Sequence, residues 1–130
     1  MGQHEPIPEA LELIVTECIG AAIAVHRELG PGFKELIYRR AYCLELDSRG
    51  LKFECEKAVV VKYRDWMIPG QRLDLIVGGG VLIEIKALPR LHSRHERQVL
   101  SYLKSTGIRI GLLLNFHARL MRDGTKRLVY

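Results

Sequence analysis

Three charged residues stand inside the two apolar runs of RLDLIVGGGVLIEIKAL, residues 72–88: Asp74 in the first run, Glu84 and Lys86 in the second. Aliphatic residues on either side of Gly78-Gly79-Gly80 read as a β-hairpin with a three-residue loop. That loop pairs Val77 with Val81, and the same register sets Asp74 opposite Glu84 and Arg72 opposite Lys86. Directly opposed side chains lie about 5 Å apart on one sheet face, so two carboxylates there repel one another. Strand alternation puts Lys86 on the same face as Glu84. Two carboxylates and the main-chain carbonyl of Ile85 make an all-oxygen set suited to a hard divalent cation, Mg²⁺ (or Mn²⁺). The Lys86 ammonium beside it can orient a water or stabilise charge building on a phosphate, which is the chemistry of phosphodiester hydrolysis. The same residues also permit a solvated patch of ion pairs, Asp74 with Arg72 and Glu84 with Lys86. If the carboxylates do repel, Asp74→Asn is expected to stabilise the metal-free chain.

These residues need a scaffold, and the rest of the chain supplies one. Apolar residues recur at Leu11, Val15, Cys18, Ile19, Ala22, Ile23, His26 and Leu29, a helical stripe that begins near Pro8 and stops at Gly30-Pro31-Gly32. His26 reads as a core histidine. A second helix is expected over residues 33–48, with Phe33, Ile37, Ala41 and Leu44 as its buried stripe and Glu35, Tyr38 and Tyr42 on a separate polar face. Three strands follow, in LKFECEKAVVVKY, WMIPGQRLDLIV and VLIEIKAL. Ser93-x-x-Glu96 predicts a capping box opening a third helix that ends at Gly107. On it Arg94, Gln98 and Tyr102 are one turn apart, with Val99, Leu100 and Leu103 on the buried side. IRIGLLLNF reads as a strand buried on both faces, and RLMRDGTKRLVY as a terminal ribbon turning at Asp123-Gly124. The order ααβββαβ plus a C-terminal β-ribbon implies an α/β domain spanning 1–130, a central mixed β-sheet flanked by helices.

Composition narrows the class. A chain of 130 residues fits one domain and can bury a core without covalent staples. Cys18, Cys43 and Cys55 are odd in number and lack paired zinc spacing, which points to reduced thiols and a cytoplasmic location. No run approaches a membrane span, and MGQHEPIPEA lacks the features of a signal peptide, so no membrane association is expected. The net charge of +5 is uneven. Residues 1–65 hold 9 Lys/Arg against 11 Asp/Glu, whereas residues 66–130 hold 11 against 4. A basic half around the hairpin suits a polyanionic partner. His92-x-x-His95 has no supporting zinc ligands and is read as phosphate contact or plain exposure.

Asp74 followed ten residues later by Glu84-Ile85-Lys86 resembles the catalytic signature of the PD-(D/E)XK nuclease superfamily. Gly32-x-x-Glu35-x-x-Tyr38 resembles the signature of the GxxExxY protein family, a bacterial group within it, and the likeness extends over residues 12 to 128. Gln98-x-x-x-Tyr102 is similar to the Q-x-x-x-Y helix motif of the RecB-like branch. One departure is Leu73, where the motif has proline. The resemblance implies a restriction-endonuclease-like core and a metal-dependent nuclease acting on nucleic acid, DNA in the first instance, with weak sequence preference. It implies metal ligation by Asp74, Glu84, Glu35 and the Ile85 carbonyl, and water activation by Lys86. Gln98 and Tyr102 are expected to hold the site, and Arg72, Arg94, His95 and Tyr38 to contact nucleic acid. A homodimer or a protein partner for targeting is compatible with so small a domain. The alternative function is a non-catalytic nucleic-acid-binding or protein-interaction module on the same fold.

Overall fold

The computed structural model describes residues 5–130; the first four residues of the expected domain lie outside the described residues. Helix α1 (Glu9–Leu29) starts immediately after Pro8 and ends where Gly30 donates its N–H to the carbonyl of His26. Then come α2 (Glu35–Ser48), β1 (Phe53–Tyr63), β2 (Trp66–Val77), β3 (Val81–Lys86), α3 (Ser93–Thr106), β4 (Ile110–Asn115) and β5 (Thr125–Val129). The five strands form one mixed sheet in the order β1-β2-β3-β4-β5. All neighbours are antiparallel except β3 and β4, which run parallel because α3 carries the chain back across the sheet. The expected C-terminal ribbon turning at Asp123-Gly124 does not form within residues 119–130: residues 116–124 are a turn-rich connection, and β5 pairs antiparallel with β4 instead, completing the sheet. This is a restriction-endonuclease-like α/β architecture.

Two apolar layers hold it together. α1 and α2 pack on one face, against Leu75, Val77, Ile83 and Ile85, and α3 packs on the other, against Ile76, Leu82 and Leu113. β4 is buried at all six residues, as its unbroken apolar run requires between two helical layers. His26 is indeed a core residue, its Nε2 2.7 Å from the carbonyl of Ala118. Gly80 lies under α1, where an added Cβ would come within 2.3 Å of Leu11 Cδ2 and would have to push the end of that side chain aside.

The second helix is rotated relative to expectation. Tyr38, Tyr42 and Leu46 are its buried residues, whereas Phe33, Ile37 and Leu44 are exposed at 48%, 43% and 71%. The reason is that large aromatic rings bury most area when their hydroxyls find acceptors. Tyr42 donates to the carbonyl of Cys18 at 2.9 Å, and Tyr38 stacks on Phe116 with ring centroids 4.8 Å apart. The Tyr38 hydroxyl donates to the Gly30 carbonyl and accepts from the Phe33 N–H, stitching the turn that contains Gly32, whose φ of 117° suits glycine. Tyr38 is therefore not a nucleic-acid contact: it is fully buried. Tyr38→Phe should cost about 1–3 kcal/mol of folding stability, because two backbone groups lose their partner. Urea denaturation checks this, and a variant as stable as the parent would contradict the assignment.

The third helix begins one residue earlier than the Ser93 cap predicts. His92 is its N-cap, and the His92 N–H donates to His95 Nδ1 at 3.0 Å. Ser93 Oγ instead accepts from Arg97, and Glu96 pairs with Lys126 on β5 at 3.1 Å, so both are drawn away from the cap.

Candidate active site

The β2–β3 ladder pairs Val77 with Val81, Ile76 with Leu82 and Leu75 with Ile83, the register expected from the triple-glycine loop, and it ends there. At the next position the side chains replace the main chain. The Asp74 N–H donates to Glu84 Oε1 at 2.8 Å, and the Ile85 N–H donates to Asp74 Oδ2 at 2.8 Å. Each acid thus takes the place of a backbone carbonyl, and two charge-assisted hydrogen bonds offset the repulsion that the opposed pair would otherwise suffer. Beyond this point β2 pairs only with β1. Across from Asp74 on that side, Glu56 has a φ of 51°, a left-handed conformation uncommon outside glycine.

The two carboxylates differ in their surroundings. Asp74 Oδ1 lies 3.4 Å from Arg39 Nε, and Arg39 also holds Glu35 at 2.7 Å one turn earlier on α2. Arg39 Nε is buried and makes no hydrogen bond among the described residues, and the guanidinium is shared between Asp74 and Glu35. Glu84, 4% exposed, has no cation in salt-bridge contact among the described residues. Burial, reinforced by the charge of Asp74, pushes its carboxyl up to about 7, against the opposing pull of the Asp74 N–H and of Lys86. The exposed patch of Asp74–Arg72 and Glu84–Lys86 ion pairs does not form. Arg72 is exposed, with its guanidinium 3.4 Å from the carbonyl of Glu56 and away from Lys86, which pairs in the ladder with Asn115.

Lys86 closes β3, half-buried and in no ion pair among the described residues. Its strand end is clamped from β4. The Phe116 N–H donates to the Lys86 carbonyl at 2.9 Å, and the Asn115 amide accepts from the Leu88 N–H at 3.0 Å while donating to the Leu88 carbonyl at 2.9 Å. Asn115 and Arg39 are the two site-building residues that sequence reasoning missed. A lone amide closing the apolar run GLLLN was a signal for the first, and an Arg one turn after Glu35 for the second.

α3 supports the acids from the other face. The Tyr102 hydroxyl donates to the carbonyl of Arg72 at 3.0 Å, two residues before Asp74. Its phenol is pushed up to about 12 by burial and then by the charges of Glu84 and Asp74, so it stays protonated and keeps that bond. At 3% exposure Tyr102 packs inside the domain, and its hydroxyl holds β2. Gln98 is half-buried one turn before it. Arg94 is exposed, as expected of a surface contact. His95 is not such a contact: its ring is 8% exposed and Nδ1 is used on the helix cap. Burial and the neighbouring Lys86 charge lower its pKa, which favours the neutral ring.

Among the described residues, no three His, Cys, Asp or Glu side chains converge closely enough to form a metal cage by themselves. Arg39 is the reason Glu35 does not join directly, since it stands between Glu35 and Asp74. The donor set still fits a hard divalent cation that keeps several waters. Asp74 and Glu84 each commit one oxygen to a backbone N–H, which leaves Asp74 Oδ1 and Glu84 Oε2 as oxygen donors.

Residues 12–128 match the PD-(D/E)XK nuclease superfamily, and the chain belongs to it. Members of that superfamily are typically nucleases that use divalent metals and act on nucleic acid. No significant match is found among curated proteins or solved structures. No helix among the described residues is long and apolar enough to cross a membrane.

Proposed function

We propose that this protein is a cytoplasmic, Mg²⁺- or Mn²⁺-dependent nuclease of the GxxExxY type, hydrolysing phosphodiester bonds of DNA with little sequence preference. The observation that carries the reading is the interrupted ladder at Asp74 and Glu84. A chain that merely needed a stable hairpin would continue the pairing with apolar residues, whereas this one buries an acid whose charge is unfavourable without a cation. Asp74, Glu84 and the Ile85 carbonyl would hold the ion, with Glu35 reaching it through water once Arg39 yields. A divalent ion so held supplies charge for a developing phosphate dianion and lowers the pKa of a bound water. Lys86 orients the attacking water and donates to the scissile phosphate. Asn115 fixes the strand end that carries Lys86, Tyr102 fixes β2 before Asp74, and Gln98 faces the nucleic acid beside it. Arg72 and Arg94 bind flanking phosphates.

Incubation of the purified protein with labelled single- and double-stranded DNA and RNA, with Mg²⁺ or Mn²⁺ and with chelator, tests the reading. Metal-dependent cleavage is the expected result; binding without cleavage in either metal would favour the non-catalytic module. Binding itself should weaken steeply with salt, because phosphate contacts release counterions, and Arg94→Ala should lower the slope by about one. Affinity unchanged between low and physiological salt would instead indicate a protein target.

A further inference from the structure

Past Asp74 the sheet narrows to two strands. β3 pairs with β2 only as far as Leu75, so the rest of β2 and the β1 residues opposite it continue as a two-stranded arm that ends in the turn Tyr63-Arg64-Asp65-Trp66. The eight residues of β2 from Trp66 to Leu73 carry its tip about 25 Å from the candidate site. Val60, Tyr63, Trp66, Met67 and Ile68 are all exposed on it, Trp66 at 64%. Tyr63 and Trp66 are direct cross-strand partners at the tip, and neither ring packs on another aromatic ring among the described residues. The Arg64 guanidinium lies 5.2 Å from the centroid of the Tyr63 ring. Over residues 57–72 the arm carries Lys57, Lys62, Arg64 and Arg72 against Asp65 alone, a balance of +3. Of these cations only Lys57 is in an ion pair among the described residues, with Glu54.

We propose that this arm binds single-stranded nucleic acid, with bases stacking on Tyr63 and Trp66 and backbone phosphates meeting Lys62, Arg64 and Arg72. Exposed rings alone would suit several partners, but rings set among unpaired cations match a chain that alternates π-faces with phosphates. Charge therefore selects the occupant. A base presents its face to a side chain only when it is out of the duplex stack, which favours a single strand over a paired one. Stacking and phosphate contact are common to DNA and RNA. Position adds to charge: β2 is one continuous strand from the tip to Asp74, and Arg72 stands two residues before that acid, so a strand seated at the acids runs on along the arm. That last step rests on the nuclease reading, whereas the rings and the charge do not.

Trp66 is the single tryptophan of the chain, so its fluorescence reports on this surface alone. With the full chain in chelator, where metal-dependent cleavage is off, oligothymidylate and oligouridylate should quench it, the tighter of the two naming the preferred sugar, and a blunt DNA duplex should leave it nearly unchanged. Trp66→Ala should raise the Kd for an end-labelled oligonucleotide, read by anisotropy, about tenfold or more. Trp66→Phe should recover most of that loss, and neither variant should shift the melting temperature much, because the ring is exposed. Lys62→Ala should lower the slope of log affinity against log salt by about 0.7, the value for one phosphate of a single strand. Binding without quenching, binding indifferent to Trp66→Ala, or equal quenching by the duplex would overturn the proposal, and cleavage by the parent in Mg²⁺ or Mn²⁺ would then still stand. Quenching by single strands with no cleavage in either metal would do the opposite, keeping the arm and removing the nuclease. A blue shift with anionic phosphatidylglycerol vesicles and no response to oligonucleotide would assign the arm to a membrane surface, and the proposal would be wrong.

Discussion

Lys86→Ala should abolish most cleavage while leaving the fold and metal affinity nearly intact. A side chain that orients the attacking water and donates to the phosphate contributes about 10²- to 10⁴-fold to the rate, and that is the loss expected in single-turnover cleavage. Folding should barely change. Lys86 makes no ion pair among the described residues, and its main-chain carbonyl keeps the Phe116 N–H whatever the side chain. Metal affinity, measured by calorimetry, should fall only slightly, since an ammonium is not a ligand to a cation. Lys86→Met, which keeps the aliphatic stem, should match alanine in the rate it loses. If either variant lost metal binding as completely as Glu84→Gln, Lys86 would be organising the acids and its assigned role would be wrong.

Glu84→Gln should abolish metal-dependent cleavage and, in chelator at pH 8, melt higher than the parent. Burial and Asp74 lift the Glu84 carboxyl from 4.5 to about 7 in the folded state, so between those values the folded chain binds the extra proton. Stability of the metal-free parent therefore falls as pH rises through that window and levels off above it. At about 1.4 kcal/mol per pH unit, the ceiling on this loss is on the order of 3 kcal/mol. Glutamine carries no charge to lose and can still accept the Asp74 N–H, so its stability should be flat over the same range. The two proteins should converge near pH 5 and diverge toward pH 8, the parent catching up when Mg²⁺ is added because the ion binds only the folded state. Melting curves at the two pH values, with and without metal, decide it; a variant less stable at pH 8 in chelator would show that the Glu84 charge is satisfied within the protein. Asp74→Asn should do the reverse of what the opposed pair alone suggests. Asp74 shares the half-buried Arg39 with Glu35 and accepts the Ile85 N–H, so its neutralisation weakens both contacts and destabilises the chain.

Much of this was legible in residue order because it depends on local periodicity and short-range geometry. The α1 stripe and its glycine stop, the strand boundaries around β1 to β3 and the doubly buried β4 all follow from patterns of a few residues. The triple-glycine loop determined a register, and the register brought Asp74 to Glu84 across ten residues of sequence. What only the tertiary structure decided is which side of a helix is covered and which cation meets which acid. α2 carries apolar residues on one face and tyrosines on another, and periodicity cannot rank them; Phe116, far away in sequence, supplies the ring, and the carbonyls of Gly30 and of Cys18 in mid-α1 supply the acceptors that bury Tyr38 and Tyr42. Arg39 in preference to Arg72 pairs with Asp74, and Asn115 clamps the chain after Lys86, for the same reason. Residues on a strand reach their neighbours by hydrogen-bond register, which the sequence of a hairpin encodes, whereas contacts between layers depend on how α2 and β4 are brought against that hairpin, and no local pattern encodes that distance.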